Sequence, residues 1–323
     1  MSRRAWIAFA AISVIWGVPY LFIRIAVRDR ITPPVLAWTR VTLAAVILLG
    51  LAWRAGMLGT VRGHWRWLLA YAVAEISIPF PLIAAGERHV SSSLAAIIIS
   101  TVPLIGALLA LRFDHSERPT PTRALGLLIG FSGVIALVGL DVAGSADELL
   151  GTGAILIAAV GYAIGPMVIK HRLRDLDPRA TMGCSLVLAS LLLAPVAAVD
   201  PPSKIPSAGA VGAVIVLAVL CTAAAFVIFM VLIREAGTGR ATVITYVNPV
   251  VAVALGVTLL GERPGAGAVA GLLLILAGSW LATGGKLPPG MRGRAGSQRA
   301  SRQRGAARSP RQHASRDLRH EST

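Results

Sequence analysis

Two side chains in this sequence carry charge where a full helix length around them is apolar. One is Arg40, within PPVLAWTRVTLAAVILLG, and the other is Glu75, within WLLAYAVAEISIPFPLIAA. An ionisable group in hydrocarbon is costly and marks an ion pathway, a substrate site or a paired partner. A carboxyl there can carry a proton. A guanidinium can bind an anionic group through its planar fork or tune the proton of a nearby acid. At about 1.5 Å per residue, in a hydrocarbon core about 30 Å thick, the two backbones sit roughly 8 Å apart in depth. That predicts a Glu75–Arg40 pair between neighbouring antiparallel spans, acting either as a fixed orienting pair or as a coupling pair. All six histidines and the other acids fall in loops, at span ends or in the C-terminal tail.

The remaining polar candidates surround that pair. Trp16 and Tyr162 each lie about 16 Å into an apolar run, near the midplane. Aromatic residues usually gather at the membrane interfaces, so these two read as cavity walls or as plain packing. Tyr20 is one helical turn beyond Trp16. Tyr246 and Asn248 precede Pro249, and Ser100 and Thr101 precede Pro103. A proline deep in a helix frees a carbonyl and kinks the chain, so these groups either bind substrate or satisfy the freed backbone. Pro103 and Pro249 are the hinge candidates. No paired acids, histidine cluster or nucleophile–base set occurs within the spans, so no catalytic residue is assigned and the chain is not read as an enzyme. Cys184 and Cys221 lie in apolar runs without metal-ligand spacing, and no phosphate-binding G-x-x-x-x-G-K-[ST] motif occurs. No metal, cofactor or ATP-driven step is expected.

The elements that must position these residues are helices in a bilayer. The chain is 55% hydrophobic and 14% charged, against about 25% charged in a soluble domain. Ten apolar runs reach the roughly 20 residues a spanning helix needs: 5–27, 33–53, 67–85, 92–112, 123–140, 151–170, 180–199, 209–233, 241–260 and 267–284. The first follows a short basic start and is read as a transmembrane helix, not a secretory signal. The third is interrupted by Glu75, Pro79 and Pro81.

Lysine and arginine concentrate in alternate loops, at Arg54, Arg62 and Arg66, at Arg112, Arg118 and Arg123, at Lys170, Arg172, Arg174 and Arg179, at Arg234 and Arg240, and in the tail. The opposing loops hold only Arg24, Arg28, Arg30, Arg88, Lys204 and Arg263. The positive-inside rule then puts both termini in the cytoplasm. The formal net charge of +16 is weighted toward residues 285–323, an Arg/Ser/Gly/Ala tail that buries too little to fold. Without aromatics to stack on bases, that tail points to anionic lipid and not to nucleic acid.

Residues 93–119 and 240–264 are echoes. Each opens with small and hydroxyl residues, carries a proline in an apolar run and ends in Glu-Arg-Pro. The offset from Pro103 to Pro249 also carries Trp16-Gly17 onto Tyr162-Ala163 and Arg24 onto Lys170. Five spans per half is an odd number, so the halves insert in opposite senses, as inverted repeats of residues 1–140 and 151–284 around a shared central cavity. Glu117 and Glu262 read as helix-start residues, because acids favour helix N-termini. Glycines in the fifth and tenth spans permit close packing within the fold or in a homodimer.

Together these residues resemble the EamA-type domain of the drug/metabolite transporter superfamily: five plus five spans, Trp16-Gly17, Arg40, the pre-proline stretches and Gly261-Glu262. The likeness covers about residues 5–285 as two tandem copies, and the first copy departs from it with Ser116-Glu117 in place of Gly-Glu. The resemblance implies a ten-helix all-α membrane fold and outward transport of small, often amino acid-like metabolites. The reading is a secondary transporter of the inner membrane, exporting a small polar metabolite, with a proton-coupled branch through Glu75. Its alternatives are an uncoupled facilitator and a non-transporting structural membrane protein.

Overall fold

The computed structural model describes residues 2–113, 120–236 and 244–283. Among these residues the fold is entirely helical. Eight helices are long and apolar enough to cross a membrane: α1 (Arg3–Arg28), α2 (Pro33–Arg54), α3 (Trp65–Gly86), α4 (Ser92–Phe113), α5 (Pro121–Val142), α6 (Ala146–Leu173), α7 (Pro178–Val199) and α8 (Ala208–Ala236). Two further apolar helices, α9 (Ile244–Leu260) and α10 (Ala266–Ala282), have 17 residues each. α9 begins at the edge of the described residues, and α10 is slightly shorter than the run expected there. The first residues expected of the ninth span, Glu117, and the basic tail lie outside the described residues.

The helix starts follow from local chemistry. Proline stands in the first turn of α2, α5 and α7, where its missing N–H costs nothing. Side-chain oxygens of Ser91, Thr120, Ser145, Asp177 and Ser207 accept from the free N–H groups that open α4, α5, α6, α7 and α8. The outward faces carry exposed Val46, Leu128, Ile135, Leu191 and Leu273, as lipid contact requires.

Each of α1 to α5 packs on a helix of the second half: α1 on α8, α2 on α7, α3 on α6, α4 on α9 and α5 on α10. Lipid supplies no hydrophobic drive for this association, so small residues must let backbones approach. In the α5–α10 pair they do. A Cβ on Gly126 would strike the backbone of Ala282, and one on Gly278 would strike the backbone of Gly130. These glycines are therefore occupied within the chain.

Several helices depart from regular α geometry. α1 breaks at Trp16–Val18 and restarts at Pro19, and α4 breaks at Ser100 and Thr101, just before Pro103. Pro249, by contrast, lies inside a helix, α9, that continues without a break, so the helix is interrupted before only one of the two prolines. α3 passes through its proline-rich stretch by a π-helical turn at Val73–Ser77, followed by a fresh start at Pro79. α8 has a π-helical turn at Val219–Ala224. The offset that relates the two prolines carries the first turn onto the second.

Candidate functional site

Of four π-helical turns among the described residues, two lie at the ends of α5 and α6, and the other two carry polar side chains into the molecular centre. Such turns widen the helix, redirect side chains and recur at functional sites. The turn in α3 carries Glu75, and the turn in α8 carries Cys221 and Thr222.

Arg40 projects from α2 and is buried, at 8% exposure. Its Nε donates to Thr222 Oγ1 at 2.9 Å, and its guanidinium carbon lies 4.2 Å from the centre of the Phe80 ring. Thr222 in turn donates to the carbonyl of Leu217, which fixes its lone pairs toward Arg40. Among the described residues neither Nη group of Arg40 has a hydrogen-bond partner, so the outer fork of the guanidinium is uncommitted. Phe80 covers one face of the cation and stabilises it without neutralising it.

The predicted pair of Glu75 and Arg40 does not form. The π-helical turn directs Glu75 toward α6, where its carboxylate packs against Gly165, in contact with the space a Cβ would fill. Glu75 Oε2 is buried without a hydrogen-bond partner. Arg40 is meanwhile held on the side of α8. Tyr162, on α6, is within electrostatic reach of both Arg40 and Glu75, and Tyr71 flanks Glu75. Tyr20, on α1, is within reach of Arg40 and Tyr162. Tyr20 and Tyr162 are half-buried, and neither hydroxyl has a hydrogen-bond partner among the described residues. The centre thus brings together one open guanidinium fork, two free phenols and one unpartnered carboxylate. It can bind a small anionic or zwitterionic group and hold a proton.

The other candidates lie elsewhere. Trp16 packs edge-on against Phe226, with ring centres 5.8 Å apart, and against Phe229 at 4.8 Å, within the α1–α8 contact. Asn248 joins α9 to the break in α1. With its amide oriented to suit its neighbours, Nδ2 donates to the carbonyl of Ser13 at 3.0 Å and of Ile244 at 2.9 Å. The Ser13 carbonyl is free because the break turns the next amides to other acceptors. Gly17 makes this approach feasible, since a Cβ there would stand 2.6 Å from Val251 Cβ and 2.9 Å from the carbonyl oxygen of Asn248. The Tyr246 hydroxyl meets Thr283 Oγ1 at 2.9 Å, tying α9 to the end of α10. Ser100 and Thr101 donate to the carbonyls of Ile97 and Ile98, so both hydroxyls close the broken backbone before Pro103.

A narrow crevice lies apart from this centre, lined by Ile98, Thr101, Leu137, Leu156 and Ile275 among others. It is too tight for a water molecule, and its walls are too apolar to orient a polar substrate. No group of three or more His, Cys, Asp or Glu able to hold a metal ion occurs among the described residues.

Carboxylates also organise the helix ends. Glu262 lies in the turn after α9 and caps the start of α4. Its Oε1 accepts from Ser92 N at 2.8 Å and Ser92 Oγ at 2.9 Å, and its Oε2 from Ser93 N at 2.9 Å and Ser93 Oγ at 2.6 Å. Burial alone would raise its pKa, but these four donors outweigh burial and hold the carboxyl below its ordinary value. Asp141 caps α10 in the same way, accepting from Gly267 N and Ala268 N.

One residue was hidden from the sequence reading. Glu87 follows the last turn of α3 and is 0% exposed, with neither carboxyl oxygen hydrogen-bonded. Its polar neighbours Arg88 and His89 gave it the look of a loop. The available clue was Gly86-Glu87-Arg88, which repeats the order of Gly261-Glu262-Arg263.

The model of the EamA-like transporter family matches this chain twice, over residues 4–139 and 149–284. The Escherichia coli K12 protein named uncharacterized inner membrane transporter YedA is 32% identical over 270 residues, covering 79% of this chain and 82% of that one. An uncharacterized transporter of Archaeoglobus fulgidus is 27% identical over 290 residues, covering 86% and 98%. A solved crystal structure superposes with a TM-score of 0.62 at 20% identity, over 87% of this chain and 98% of its own, a likeness of fold.

Proposed function

The chain belongs to the EamA-like transporter family, and on that footing we propose that it is a secondary transporter for a small metabolite bearing a carboxylate, such as an amino acid-like zwitterion. The observation that carries this reading is the buried Arg40, anchored through Nε while its outer fork stays open. Arginine presents two parallel donors to a carboxylate, and the half-buried phenols of Tyr20 and Tyr162 lie within electrostatic reach of Arg40. Glu75 supplies the coupling site, taking a proton in one state of the carrier and releasing it in the other. The proposed direction is efflux across the inner membrane, with both termini cytoplasmic as the loop charges require.

The proposed architecture is ten membrane spans in two inverted five-helix repeats. The packing supports it. A two-fold relation of the halves leaves the pairs α2–α7, α4–α9 and α5–α10 unchanged and exchanges α1–α8 with α3–α6, and these are the pairs in contact. The equivalent π-helical turns in α3 and α8 support it as well.

The test is flux of a panel of labelled amino acids and related carboxylates into proteoliposomes holding the purified chain, with and without a pH gradient. A carboxylate substrate driven by the gradient is the expected result. Arg40→Lys keeps the charge but loses the fork, and we expect at least a tenfold loss of apparent affinity for that substrate. Unchanged affinity in this variant overturns the assignment of Arg40. Flux indifferent to the gradient overturns the coupling and leaves a facilitator.

A further inference from the structure

We propose that Glu87 is a second proton-binding site, separate from Glu75, and that its proton keeps the α3–α4 end of the molecule shut. The inference rests on the transporter reading only in assigning open and closed states to the chain. Glu87 is fully enclosed and neither of its carboxyl oxygens has a donor. A carboxylate in that position has lost its water without compensation, whereas a carboxylic acid is tolerated. The groups facing it are Tyr20 and Arg24 from α1, Arg40 from α2 and Glu262 from the turn between α9 and α10. α6 meets this end of α3 through Gly151 and Ile155, which carry no charge.

Arg24 is the natural partner, yet it is engaged otherwise. Its Nη1 donates to the backbone carbonyls of Glu87 and Val90, and its Nε is buried without an acceptor. Glu262, held ionised by four donors from α4, adds a nearby negative charge. Burial pushes the Glu87 carboxyl well above the ordinary carboxylate range; Arg24 and Arg40 oppose that shift, and Glu262 adds to it. The closed arrangement therefore holds a neutral acid on Glu87 with the Arg24 fork on the main chain. When this end opens, Glu87 gives its proton to water, and the resulting carboxylate takes a charge-assisted bond from Arg24. That withdraws the guanidinium from the two carbonyls and releases the α3–α4 turn.

The sign of the pH dependence follows. The closed state binds one proton more than the open state from the ordinary carboxylate pKa up to the raised value of Glu87. Across that window the opening equilibrium rises about tenfold per pH unit as pH increases. Two measurements on the full chain in lipid nanodiscs test this without any substrate. Infrared spectroscopy of the parent should show a protonated carboxyl band at neutral pH that Glu87→Gln lacks. Hydrogen exchange of the amides at residues 89–94, corrected for intrinsic rates, should rise with pH in the parent and stay flat in Glu87→Gln. An unchanged carboxyl band, or the same exchange slope in both proteins, overturns the proposal. Glutamine mimics the protonated acid, so Glu87→Gln should fold as the parent does, and failure to fold also overturns it. Failure of the flux assay would instead count against the transporter reading, since neither measurement here depends on flux.

Discussion

Glu262 and Glu87 sit at the same end of the molecule, within electrostatic reach of each other, and the fold treats them in opposite ways. Glu262 receives four hydrogen bonds from the opening turn of α4 and satisfies two of the backbone N–H groups that every helix start leaves without an internal partner. Glu87 receives none. The same contrast separates Asp141, which caps α10, from Glu75, whose Oε2 faces Gly165 unpartnered. Carboxylates with donors hold helices together, and those without donors remain available for protons.

The contrast can be broken experimentally, beginning with the largest effect. Glu75→Gln should reduce gradient-driven flux to that of empty liposomes while keeping a cooperative melting transition, because no hydrogen bond to Oε2 is lost. Retained coupling in that variant places the coupling proton elsewhere. Glu262→Ala should destabilise by about 2 kcal/mol, the scale of a lost cap reinforced by charge, seen as a lower melting temperature in detergent. Asp141→Asn keeps one acceptor but loses the charge at the start of α10, and about 1 kcal/mol is expected. The smallest effect is in pH. The folded-state pKa of Glu262 is depressed, so its stabilisation is full above the ordinary carboxylate range and is lost as pH falls through the depressed value. The acid-side fall in melting temperature should therefore be shallower in Glu262→Gln than in the parent.

Much of the helical plan was legible in sequence, because hydrocarbon allows few alternatives to a helix and capping residues mark the starts. Glu262 was readable as a helix-start residue, but not that the helix it caps would be α4. What periodicity does not encode is the phase change at a π-helical turn. The turn in α3 carries Glu75 toward α6 and away from Arg40, and the turn in α8 carries Thr222 to Arg40. Pro249 shows a second limit: a proline in a sequence specifies a missing hydrogen bond, whereas its neighbours decide whether the helix bends. At α9 the helix continues past its proline, and Asn248 serves the freed carbonyl of α1. Glu87 was missed because burial here comes from α1 and from the turn beyond α9, far away in the chain.

The shortness of α10 has a consequence for the membrane itself. Its 17 residues extend about 25 Å, roughly 5 Å less than a typical hydrocarbon core. Its partner α5 has 22 residues, and glycines on both helices line the contact between them. As one of the proposed spans, α10 would need flanking residues that reach to the interface or a locally thinner bilayer, at a fraction of a kcal/mol per Å. A locally thinner bilayer would draw short-chain lipids to that edge.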